Sequence, residues 1–301
     1  MLLRETLRGT GVAIVTPFNQ QHEVDFDAYK KLVDFVLQNG VEYLVVLGST
    51  GEAATLSQTE KIDIVNYTYA IVPASVPVIV GVASNNTKEL LNDIHQYPLE
   101  KATAILSTSP WYNKPTQEGI YQHYKLLADV SPKPIIIYNV PSRTGSNVAA
   151  ETTIRLANEC ENIAGIKEAS GNMIQCLHIL KNRPKDFLVT SGDDHLGLSL
   201  IAAGMDGVIS VAANCFPKDF SEMVRQSLKN EMGKASELLY KMLVGFDLLF
   251  EENNPAGVKA FLAEMGIIQN YLRLPLIPLS SPIHERVKAF AKSIDKSINK
   301  H

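Results

Sequence analysis

Long hydrophobic runs are missing from this 301-residue sequence: no stretch reaches the roughly 18 consecutive apolar residues that suggest a membrane span. The opening MLLRETLRGT is too polar to be a signal peptide, so none is expected. Cysteine is scarce. Cys160, Cys176 and Cys215 are odd in number and far apart, which argues against a disulfide framework and against a CxxC zinc site, and they read as three small core thiols of a cytoplasmic protein. There is no excess of positive charge either. With 28 Lys and Arg against 32 Asp and Glu, the net charge is -4, and neither nucleic acid nor an anionic membrane is an expected partner. The seven histidines form no His-x-His or His-Glu-x-x-His pattern, so no metal is expected.

What is abundant is apolar residue, at 46%, arranged in short strings. Eight of them recur: Gly11–Val15, Tyr43–Leu47, Val76–Val80, Thr103–Leu106, Pro134–Tyr138, Ile163–Lys167, Phe187–Thr190 and Gly207–Val211. They are continuous rather than alternating, which suits parallel strands buried on both faces. Amphipathic segments at Phe26–Asn39, Gln58–Val72, Lys88–Gln96, Glu118–Asp129 and Ala150–Glu159 separate them. Ser57 with Glu60 predicts a capping box at one helix start, and Asn39-Gly40 and Ala203-Gly204 predict helix stops. Eight strand-helix units in succession predict an α/β fold, a (β/α)8 TIM barrel, over residues 1–230. From residue 231 to 301 three helical segments follow with no strand between them (Ser236–Glu251, Pro255–Met265 and one after Pro282), predicting a C-terminal helical appendage.

In such a barrel the chemistry sits at the C-terminal ends of the strands. Lys167 ends the sixth string, where desolvation favours a free amine nucleophile; a lysine snorkelling to solvent is the other reading of that segment. Tyr138 ends the neighbouring fifth string, and a phenol beside an amine can relay protons. Gly48-Ser49-Thr50-Gly51-Glu52 follows the second string. Its backbone N–H groups and two hydroxyls suit a carboxylate, and no Gly-Lys-Ser/Thr follows that would make it a P-loop. Arg143, in the loop above the fifth string, offers a guanidinium fork for a second carboxylate or for a surface ion pair. Asp193-Asp194-His195 reads as a hydrogen-bonded turn in preference to a metal site.

Taken together, Gly48–Glu52, Trp111-Tyr-Asn-Lys-Pro-Thr-Gln-Glu-Gly119, Tyr138-Asn-Val-Pro-Ser-Arg-Thr-Gly145, Ile166-Lys-Glu-Ala-Ser-Gly171 and Gly207-Val-Ile-Ser210 resemble the dihydrodipicolinate synthase family. The likeness runs from about Gly9 to about Pro278. It implies that Lys167 forms an imine, then an enamine, with pyruvate, while Tyr138 moves protons at the adduct. Ser49 and Tyr112 would join Tyr138 in a hydroxyl relay to bulk water, Tyr112 reaching in from a neighbouring subunit. Thr50 would hold the pyruvate carboxylate and Arg143 that of aspartate 4-semialdehyde, with Gly192 and Ile209 lining the pyruvate pocket. The implied reaction gives 4-hydroxy-tetrahydrodipicolinate, the first committed step of lysine and diaminopimelate biosynthesis. It needs no cofactor. A homotetramer, built as a dimer of dimers, is the implied assembly.

The sequence departs from the family pattern in two places. Ser49 stands where the synthases usually carry threonine, and Trp111 where they carry tyrosine. Serine at this position is typical of the related N-acetylneuraminate lyases, which use the same lysine on another acceptor. Those lyases lack an arginine in the fifth loop, so Arg143 favours the synthase. A metal-dependent barrel hydrolase and a non-catalytic keto-acid sensor are the readings from other classes. In lysine-sensitive relatives a cleft between subunits binds L-lysine; the matching positions here include Ala53, Ala54, Leu56, Gln58, Lys61, Asn85, Glu89 and Trp111. Gln58 and Lys61 replace histidines and Trp111 lacks a phenol, so weak inhibition is expected. Lys61 is expected to contribute most, because two ammonium groups about 4 Å apart repel by roughly 4 kcal/mol at an effective dielectric near 20.

Overall fold

The computed structural model describes residues 2–298, with side chains through residue 293. The sequence strings become eight strands: β1 (Gly9–Ala13), β2 (Tyr43–Val46), β3 (Val78–Gly81), β4 (Ala104–Thr108), β5 (Ile135–Asn139), β6 (Ile163–Glu168), β7 (Leu188–Ser191) and β8 (Gly207–Ser210). They pair in parallel, in sequence order, and β8 closes on β1. Nearly every strand residue is buried, because each strand packs side chains both inward and outward. The inner set includes Tyr43, Val45, Ile79, Leu106, Ile136, Leu188 and Ile209, and fills the barrel. A second, larger cluster lies between the strands and the helices. The short helix Leu3–Thr6 sits at the opposite end from the strand C-termini, where Leu7 joins the inner cluster and Arg4 pairs with Asp206 at 2.8 Å.

Five helices begin where a side chain satisfies a first-turn amide. Asp25, Asn86, Thr116 and Asn172 each accept from an N–H in the first turn, and such caps are worth about 1 kcal/mol apiece. Ser57 and Glu60 form the expected reciprocal capping box. Gly40 and Gly204, at φ 93 and 114, end their helices as expected. The first strand differs from its string by two residues, ending at Ala13. Ile14 and Val15 are apolar and buried, but they already belong to the top of the barrel, where the Val15 amide donates to the Asn214 side chain at 3.2 Å.

After β8 come helices Pro217–Leu228, Met232–Phe250, Ala256–Glu264 and Ser281–Ile298, with no strand among the described residues. Residues 299–301, the end of the expected appendage, and Met1 lie outside the described residues. Helix Met232–Phe250 packs along Pro217–Leu228, and the last two helices pack on each other. This brings the turn at residues 250–255 to the mouth of the barrel.

Candidate active site

A cavity of about 600 Å³ opens at the C-terminal ends of the strands. Lys167 and Tyr138 face each other in register across β6 and β5, and the Lys167 ammonium lies 4.4 Å from the centre of the Tyr138 ring. Lys167 is 3% exposed, so it does not snorkel; its amine ends inside the cavity. Gly192, after β7, makes room for it. A Cβ at that position would lie 2.8 Å from Lys167 Cε and 2.7 Å from the Ala169 methyl.

The opposite wall comes from the loop after β2. Ser49–Gly51 form a single 3-10 turn, flanked by two non-glycine residues in left-handed conformation, Leu47 (φ 58) and Glu52 (φ 54). Both Ser49 and Thr50 line the cavity. Thr50 Oγ1 accepts a hydrogen bond from Asn254 Nδ2 at 2.9 Å, which leaves the hydroxyl proton available for a ligand. Below it, Thr16 Oγ1 donates to the Gly51 carbonyl at 2.7 Å. Arg143, on the short helix Pro141–Thr144, lines the outer part of the cavity and donates to the Asn254 carbonyl at 3.2 Å. The site therefore holds an amine, a phenol, two hydroxyls and, at a separate place, a guanidinium.

Asp193-Asp194-His195 forms the turn expected of it. Asp194 accepts the amides of Val211 and Ala212 at 3.1 and 2.8 Å, and His195 reaches Asp247 at 3.1 Å. Burial pushes the Asp194 carboxyl up from its usual range, against the pull of those bonds.

Two residues implied by the resemblance do not lie on the wall. Ile209 is fully buried among the inner barrel side chains, and the cavity is lined instead by Val211, two residues further on. Ile209 points into the barrel interior from β8, whereas Val211 lies beyond the strand's end, in the turn that opens onto the cavity. Tyr112 is 88% exposed, at φ 73, and its side chain lies outside this chain's own cavity. Three lining residues escaped the sequence reading: Phe250, Asn253 and Asn254. The cavity draws on residues both before and after position 230. Asn254 touches Thr50 across 204 residues of chain, a distance over which local patterns carry no signal.

At the cleft positions, Gln58 donates to Gln96 at 3.1 Å, and Asn85 donates to the Trp111 carbonyl at 3.4 Å. Lys61 acts on the Asp93 carboxyl, which burial raises and Lys61 and Gln58 lower.

The family model of the dihydrodipicolinate synthetase family matches residues 6–294. A 4-hydroxy-tetrahydrodipicolinate synthase of Azobacteroides pseudotrichonymphae is 51% identical over 94% of this chain and 95% of its own length. One from Flavobacterium psychrophilum is 46% identical over 96% and 98%. The crystal structure of dihydrodipicolinate synthase from Thermotoga maritima superposes with a TM-score of 0.92 at 42% identity, covering 96% of this chain and 98% of the other. The match covers nearly the whole chain, and the chain belongs to the dihydrodipicolinate synthetase family.

Proposed function

We propose that this chain is a 4-hydroxy-tetrahydrodipicolinate synthase, condensing pyruvate with L-aspartate 4-semialdehyde through a Schiff base on Lys167. What carries the reading is a buried amine facing a phenol in strand register, in a cavity with separate anchors for two carboxylates. Lys167 Nζ adds to the pyruvate ketone, and the carbinolamine loses water to give the imine. Loss of a methyl proton gives the enamine, whose carbon attacks the aldehyde of the second substrate. The amino group of that substrate then displaces Lys167 as the ring closes, so one water leaves in all. Tyr138 stands where protons must move at the forming imine. Thr50, its hydroxyl oxygen already satisfied by Asn254, donates to the pyruvate carboxylate. Arg143 holds the carboxylate of the semialdehyde, the contact that separates this reading from a sugar-acid lyase using the same amine. Gly192 keeps the path of Lys167 clear.

The proposed enzyme is a cytoplasmic homotetramer, a dimer of dimers, and the exposure of Tyr112 supports the part of this reading in which its hydroxyl completes the Tyr138–Ser49 relay of a neighbouring subunit. Borohydride reduction in the presence of pyruvate tests the central step. It is expected to leave one adduct, on Lys167, found by peptide mapping. An unmodified Lys167, or an adduct on another lysine, sinks the assignment.

A further inference from the structure

The proposed reaction leaves one buried group without a role. Lys259 lies within the apolar helix Ala256–Glu264 and has no exposed surface. Its ammonium is 2.5 Å from Glu52 Oε1, whose side chain is also 0% exposed. It donates to the Tyr271 carbonyl at 2.9 Å and lies 4.0 Å from the centre of the Phe18 ring. The second Glu52 oxygen accepts the Arg273 amide at 3.1 Å. The Arg273 guanidinium rests 4.4 Å from the same Phe18 ring and binds Glu60, the residue that closes the capping box of the next helix.

Stability gives no reason for such a pair. Desolvating two charges is costly, and exchanging a buried pair for well-packed apolar groups is often neutral or stabilising. Conformation does give a reason. Glu52 is a non-glycine residue at φ 54, a state that persists when its surroundings over-determine it. Leu47, at φ 58, bounds the other end of the same loop. Between these two strained residues lie Ser49 and Thr50.

We infer that the Glu52–Lys259 pair is a positioning device for the cradle after β2: by holding the Glu52 carboxylate it fixes the turn that aims Thr50 and the adjacent amides at the pyruvate carboxylate. The inference rests on the pyruvate reading of the site. Asn254, in the turn just before the same helix, supplies a second tie through Thr50 Oγ1. Burial pulls the Lys259 ammonium down to about 8, while the Glu52 carboxylate pulls the other way. The ammonium is thus costly to bury, and the carboxylate beside it offsets part of that cost.

The test is the double variant Glu52→Gln/Lys259→Met, which removes both charges at nearly constant volume. Borohydride trapping at Lys167 is measured against pyruvate concentration, alongside steady-state kinetics and thermal melting. The double variant is expected to stay folded, with its half-saturating pyruvate concentration raised tenfold or more. The KM for the semialdehyde should move less than threefold. A folded variant with an unchanged half-saturation overturns the inference, as does an equal rise for both substrates. If the double variant does not fold, Glu52→Gln alone is read by the same criteria. Trapping of the parent enzyme by pyruvate keeps the two questions apart: without it the proposed function fails, and with it a normal double variant removes only the positioning role.

Discussion

Two segments of this molecule carry hydroxyls proposed for one relay, and they are held in opposite ways. The loop from Leu47 to Glu52 is tied at every turn: Thr16 to the Gly51 carbonyl, Asn254 to Thr50, Lys259 and the Arg273 amide to Glu52. The segment from Trp111 to Lys114 also contains two left-handed non-glycine residues, Tyr112 and Lys114, at φ 73 and 46. Its ties to the rest of the chain are long ones, the Tyr112 amide to the Thr144 carbonyl and the Asn85 side chain to the Trp111 carbonyl, each at 3.4 Å. Strained backbone persists when its surroundings enforce it. The first loop finds that enforcement within its own chain, through the C-terminal helices. The second presents an 88% exposed tyrosine to whatever packs against it. The contrast teaches that one half of the proposed relay is preorganised by the fold, whereas the other is left with few ties inside its own chain.

The strongest way to break that contrast is complementation. Tyr112→Phe and Lys167→Ala are each expected to be nearly inactive, whereas mixing them after subunit exchange should restore one complete site per mixed dimer. If verified exchange brings no recovery, Tyr112 acts in its own subunit or not at all, and the two segments cease to differ in kind.

Arg143 stands between the two cases, exposed but bonded to the Asn254 carbonyl. Arg143→Ala should impair use of aspartate 4-semialdehyde about ten- to a hundredfold, the value of roughly 1.5–3 kcal/mol for a charge-assisted bond. Pyruvate trapping at Lys167 should be nearly unchanged. Equal effects on both substrates would remove Arg143 as the acceptor's clamp and assign it to shaping the cradle through Asn254.

The smallest effect is expected from L-lysine itself. The less constrained segment adjoins the cleft positions, and Trp111 offers no phenol to a bound amino acid there. Gln58 is engaged by Gln96, and Lys61 adds a positive charge. Calorimetry and rate measurements should find little binding and little inhibition below millimolar lysine. Sub-millimolar inhibition would show that the cleft works despite these residues, and would leave the catalytic assignment intact.

The barrel was legible because its signal is local: eight unbroken apolar strings can bury both faces only as parallel strands under a ring of helices. The same periodicity placed Lys167 and Tyr138 at strand ends, and the pairing of β5 with β6 then put them side by side. Caps such as Ser57 with Glu60 are local too, three residues apart, and the structure contains them as expected. Strand ends were less legible, as at Ile14 and Val15, since burial by an overlying loop looks like burial by a sheet. Ile209 was given a lining role only by the resemblance, and in this chain its side chain lies among the inner barrel residues. The parts that escaped reading are joined across the chain. Asn254 meets Thr50 from a turn, and Lys259 meets Glu52 from the helix after it, each more than 200 residues away in sequence. A lysine within an apolar helix was the one hint, since a charge there demands a partner that the sequence does not name. Sequence by itself determined the eight strands and put Tyr138 and Lys167 near the ends of two neighbouring ones. Only tertiary structure decided how the loop after β2 is held, because that depends on burial and on partners brought together when the C-terminal helices fold back over the barrel mouth.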